Sequence, residues 1–147
     1  MIAFGVALTD VDQYEECAEP GIAFCGEPDT RTLVYDSAGS IFRNYNLILD
    51  DAAKIEGLES IVLIHQDAEI IDPEFIPKVR AALETPDVAI VGCAGAVGVR
   101  NIAWWEGSVT WASFTHRYKE MGGGEIPAVS GLEDDTAPYA RLGEVDS

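Results

Sequence analysis

The stretch "IVLIHQDAEIIDP", residues 61–73, decides how this sequence is to be read. Four apolar residues, Ile61 to Ile64, run straight into His65, Gln66 and Asp67. A short apolar, β-branched run of this kind reads as a buried strand. Five residues further on, Asp72 and Pro73 form a helix-start signal: Asp to cap, Pro for the first turn. "DPEFIPKVRAALET" then reads as a helix, with Pro77 early enough to be tolerated. The strand therefore ends in an imidazole, an amide and a carboxylate. Either it carries a metal or phosphate site at the end of a sheet, or it closes in a polar turn.

The same alternation extends outward in both directions. "IAFGVALT", residues 2–9, reads as a first strand, and Asp10 as the cap of a helix over "VDQYEECAEPGI". Pro20 and Gly21 are expected to stop or kink that helix. "TRTLVYD", residues 30–36, is a second strand. A helix follows, with Ile41, Tyr45, Ile48, Leu49 and Ala52 on one face. Ser40 is placed to cap it and Gly57 to end it. "DVAIVGCAGAVG" reads as a fourth strand that breaks into glycines. The order β-α-β-α-β-α-β implies an α/β fold: a Rossmann-like, mainly parallel sheet of at least four strands, with right-handed crossovers and helices on both faces.

The expected organisation is one domain over residues 1–147, with a β-α-β core in 1–99 and a variable region in 100–147. The variable region holds Trp104, Trp105 and Trp111, then the Gly-, Pro- and acid-rich "KEMGGGEIPAVSGLEDDTAP", which reads as loop. The aromatic segment suits a core lid or subunit interface better than an acceptor platform, and a homo-oligomer is one arrangement it would serve.

Composition narrows the function classes. The chain has 147 residues, with 26 acidic and 9 basic, for a net charge of −17. A phosphate backbone needs a basic footprint, so nucleic acid is an unsuitable partner, as is an anionic membrane. No apolar run approaches the roughly 18 residues of a membrane span. "MIAFGVALTD" lacks a basic n-region and reads as a strand, so a cytoplasmic location is expected. Cys17, Cys25 and Cys93 include no CxxC pair, so neither disulfides nor a zinc site is expected. Cys93, in an apolar run, is expected to be a small buried residue.

In open parallel sheets, ligands bind beyond the carboxyl ends of the strands. Three expected strands end there in polar groups: Thr9-Asp10, Asp36-Ser37 and His65-Gln66-Asp67. Each group has a structural reading beside the functional one. Asp10 caps a helix, Asp36 and Ser37 form a turn, and His65 is a core histidine. Asp67 is harder to absorb in this way, because Asp72 is the residue placed to cap the next helix. A carboxylate at that point is suited to Mg²⁺ or Mn²⁺, which take one or two protein oxygens and the rest from water and phosphate.

The arrangement "IAFGVALTD…YNLILDDA…IVLIHQDAEIIDPEF…VAIVGCAGA…W" resembles a divergent glycosyltransferase-like family that includes the StrF-type proteins of streptomycin biosynthesis. That family is related to the inverting family 2 glycosyltransferases, whose fold is GT-A. The resemblance covers nearly the whole chain, and its most specific part is the apolar strand ending in His-Gln-Asp and followed by Asp-Pro. It implies a site for a nucleotide-diphospho-sugar and a divalent cation. Thr9 and Asp10 would lie near the base or ribose, and Asp36, beside Ser37, would meet the nucleoside. Asn46 would lie on a helix facing the donor. "HQD" stands where the family usually has Asp-x-Asp, so Asp67 would meet the metal and His65 would replace the first Asp. Imidazole is a poorer ligand for Mg²⁺ than for Mn²⁺.

Two classes of function follow. One is a glycosyltransferase, or the nucleotide-binding half of one, transferring sugar with inversion when a complete acceptor half is present. The other is a non-catalytic nucleotide-binding or assembly module with a partial GT-A fold. Family 2 catalytic domains usually run well beyond this length and carry a carboxylate base in their second half. Glu133, Asp134 and Asp135 are the acidic run nearest to that role, though their setting reads as a solvated loop. A metal hydrolase built on His65 and Asp67 would want further ligands, and the only other histidine is His116. The donor sugar, the acceptor and the catalytic base are not legible in the sequence.

Overall fold

The computed structural model describes residues 1–36, 39–100 and 107–112. The chain forms two compact units, Met1–Lys78 and Val79–Ser147.

The first unit is built on a three-stranded parallel sheet in the order β2-β1-β3. Its strands are β1 (Ile2–Leu8), β2 (Arg31–Asp36) and β3 (Ser60–His65). Six of the seven β1 residues are buried. This is the expected consequence of a central parallel strand covered on both faces. Successive residues on β1 face opposite ways. Ala3, Gly5 and Ala7 share one face, and there a Cβ on Gly5 would collide with Ile48 of α3 (Ile41–Ala52). Phe4 and Val6 share the other face, where Phe4 stacks on Phe75 at a centroid distance of 6.3 Å. Phe75 opens α4 (Phe75–Leu83). Helical residues thus cover both faces of a mixed α/β unit with a partial Rossmann-like plan. The largest fully buried side chains include Ile2, Phe4, Val6, Ile48 and Ile76.

The helical run after β1 departs from expectation. It comprises α1 (Val11–Gln13), a π-helical segment (Tyr14–Ala18) and α2 (Glu19–Cys25). Pro20 lies at the start of α2 and does not end the run. Pro has no N–H to donate. The wider turn, in which Glu19 N–H reaches Tyr14 O, lies just before it, the kind of local adjustment that lets a helix pass a disruptive residue. Gly21 is no stop either. It is buried, and a Cβ there would lie 2.5 Å from the backbone nitrogen of Ile70. Its role is close approach of two backbones.

α3 buries Asn44, Ile48 and Ala52, spaced by four. Ile41 and Leu49, expected on the inner face, are 42% and 43% exposed. Ser40 occupies the cap position but makes no side-chain capping bond. The helix ends at Ala52, before Gly57, which adopts φ +75° in the turn leading to β3.

α4 begins at Phe75 rather than at Pro73: Pro73 and Glu74 form a turn before it, and Asp72 Oδ1 accepts from Glu74 N at 2.9 Å.

The fourth strand is the main correction. β4 (Ala94–Val97) is four residues long, lies in a separate two-stranded sheet, and pairs antiparallel with β5 (Val109–Ala112). The parallel sheet therefore holds three strands among the described residues, not four. Val88 to Val91 take no regular structure, and Cys93 is exposed rather than buried. The glycines at 92, 95 and 98 shorten the run that apolar content alone suggested. Among the described residues, no helix is long and apolar enough to cross a membrane.

Candidate functional site

The parallel register decides where the polar strand ends fall. Leu8 pairs with Asp36, and Ala7 pairs with His65. Thr9 and Asp10, Asp36, and His65 to Asp67 therefore leave the sheet at one edge, its carboxyl edge. β1 connects outward to β2, and the chain then passes back over β1 to reach β3. The crevice between β1 and β3 is the point where the strand order reverses, the usual ligand position in such sheets.

Gln66, not singled out for any role in the sequence, is a buried and multiply bonded polar group of this edge. It is 4% exposed. Its Oε1 accepts from Thr9 N at 2.7 Å, from Asp10 N at 3.1 Å and from Thr9 Oγ1 at 3.3 Å. Its Nε2 donates to Gln13 Oε1 at 3.2 Å. A signal for it was present. The period-two alternation of β3 runs past its last residue, so Ile64 and Gln66 point inward while His65 and Asp67 point outward. A buried amide must find partners, and the end of β1 is the neighbour that supplies them.

His65 and Asp67, on the outward side, are about half exposed and meet each other, with Nδ1 2.5 Å from Oδ1. An ionised carboxylate only accepts, so Nδ1 carries the proton and a neutral ring keeps its lone pair on Nε2. Nε2 lies on the far side of the ring from this contact, so the imidazole nitrogen and the remaining carboxylate oxygen face different ways. Asp10 does the capping its position suggested, with Oδ1 accepting from Gln13 N at 3.2 Å. Asp36 is exposed at the end of β2. Asn46 is exposed on α3, two residues from the buried Asn44 and so away from the face packed on the sheet. Ser37, His116 and Glu133 to Asp135 lie outside the described residues. Among the described residues, no three His, Cys, Asp or Glu side chains gather as a cage for an ion.

The site is thus a row of acceptors along one sheet edge. This chain is similar to the streptomycin biosynthesis protein StrF of Streptomyces griseus. The two are 26% identical over 106 residues, which is 71% of this chain and 37% of StrF. The chain therefore matches well under half the length of StrF. No family model and no solved structure matches. The likeness to StrF covers most of this chain.

Proposed function

We propose that the chain binds a nucleotide-diphospho-sugar at the carboxyl edge of its parallel sheet, with a divalent cation held by Asp67 and His65. The observation that carries this reading is the register that brings Asp10, Asp36 and Asp67 to one edge from three separate strands. Acceptors in a row suit the hydroxyl and N–H donors of a ribose and a base, which Thr9, Asp10 and Asp36, with Ser37 beside it, would contact. Asn46 would reach the donor only from the outer side of α3. The likeness to StrF supports a biosynthetic setting.

The residues present fit a hard or borderline cation shared with the ligand. Asp67 would supply a carboxylate oxygen, and His65 would join it only by turning its ring out of the Nδ1–Oδ1 contact, since Nε2 faces away from Asp67; such ions commonly complete their shell from water and phosphate. Imidazole favours Mn²⁺ over Mg²⁺. When bound, the ion would neutralise the diphosphate, which a chain of net charge −17 otherwise repels. Asp67 would hold it and His65 would complete the pair. Transfer of the sugar with inversion to an acceptor hydroxyl, as in a glycosyltransferase of GT-A fold, is the activity proposed where a complete acceptor half is present.

Calorimetric titration with a panel of nucleoside diphosphates and their sugar esters, with and without Mn²⁺, tests the reading. Binding that requires the cation supports it. An absence of binding with every divalent cation ends it.

A further inference from the structure

We propose that Gln66 is a positioning residue, a latch that makes the ends of β1 and β3 and the first turn of α1 move as one unit. The inference gives the proposed site its rigidity and, in its ligand-binding arm, rests on that reading. One carboxamide bridges residues 53 to 57 positions away in sequence. Its oxygen saturates two consecutive backbone N–H groups and a hydroxyl, and its nitrogen engages the helix. The candidate ligand groups flank it on both sides: Thr9 and Asp10 before it in space, His65 and Asp67 beside it in sequence. Thr9, Asp10 and Asp67 lie past the last paired residues of β1 and β3. Without the bridge, the end of β1 and the turn after β3 would open independently.

The latch also determines what the edge offers. With the Thr9 and Asp10 amides occupied, the end of β1 presents oxygen acceptors rather than N–H donors. A ribose or base placed there would thus meet acceptors, the backbone N–H groups of these two residues being already used.

Two variants separate positioning from bulk packing. Gln66→Met keeps the volume and loses the acceptor. Gln66→Glu keeps the acceptor, and Gln13 can turn its amide to donate to the second oxygen. Amide hydrogen exchange is followed at Thr9, Asp10 and Ala68; the Ala68 N–H closes the turn onto His65 O. In Gln66→Met all three should exchange about tenfold faster together, the scale set by one lost hydrogen bond. Amides of Phe4 to Ala7 should be unchanged, and Gln66→Glu should restore protection. A uniform rise through β1 overturns the latch. So does a rise at Thr9 and Asp10 that leaves Ala68 untouched, or a Glu variant no better protected than Met.

With Mn²⁺ and a nucleoside diphosphate, Gln66→Met should bind about tenfold more weakly and Gln66→Glu within about threefold of wild type. Unchanged affinity in Gln66→Met also overturns the positioning role. Wild-type protein that binds nothing ends the proposed function, and the exchange pattern then decides the latch by itself.

Discussion

Ile48 of α3 lies directly over Gly5 of β1, leaving no room for a Cβ at position 5. Ile48 is fully buried. The helix that follows β2 therefore sits down on the central strand at a point where the strand has no side chain. Gly5→Ala forces either Ile48 or the helix outward and should lower stability by about 1–3 kcal/mol, the usual cost of overpacking. Urea denaturation measures it. Combining Gly5→Ala with Ile48→Ala should cost less than the sum of the two changes, because the second removes the clash created by the first.

Gly57 presents the opposite case. Nothing lies within 4 Å of where its Cβ would be, yet its φ is +75°. Space is not limiting, so the cost of a side chain is conformational. Gly57→Ala should destabilise by about 1 kcal/mol, and Gly57→Asn by less, since Asn tolerates the left-handed region better. The difference between the two variants in denaturation midpoint checks the backbone explanation.

Asp72 predicts a pH dependence. The Lys78 ammonium and, second, the Glu74 N–H hold its carboxyl below the usual carboxylate range. A group whose folded pKa is depressed binds fewer protons when folded than when unfolded between the two values. Its contribution is complete above about pH 4 and disappears as pH falls through the folded value. Asp72→Asn should therefore be less stable than wild type near neutral pH and converge with it in acid. Denaturation midpoints from pH 7 down to about pH 2 test the convergence. Asp51 should add to the same acid limb, since Lys54 and then Tyr35 lower its pKa.

Asp67→Asn tests the site without rebuilding it. The change keeps an oxygen to accept from His65 Nδ1 and removes the charge. Binding of a nucleoside diphosphate should lose its Mn²⁺ dependence and weaken about tenfold or more, as expected for losing a contact to a charged group. Thermal stability should change little or rise, because an acidic edge loses one repelling charge. A drop in melting temperature with unchanged binding would assign Asp67 to the turn alone.

Read by itself, the sequence determined the three strands of the parallel sheet, the helices between them and the polar character of the strand ends. Those features rest on local patterns: continuous apolar runs for strands buried on both faces, and Asp10 before a helix it does cap. It also determined that the chain is strongly acidic and that His65 and Asp67 share a spacing of two. What only the tertiary structure decided was how partners distant in sequence meet. Gln66 became the centre of the edge because β1 and β3 lie side by side. Asn44 rather than Leu49 faces inward because α3 packs at a particular rotation over Gly5. Gly21 serves close approach because the backbone at Ile70 passes against it. The run around Cys93 follows the same rule: an apolar segment becomes a sheet strand only where a neighbour offers a ladder, and β4 pairs with β5. Local pattern fixes which segments can form strands and helices; register and packing, which depend on contacts across the chain, fix what each polar group finds as its partner.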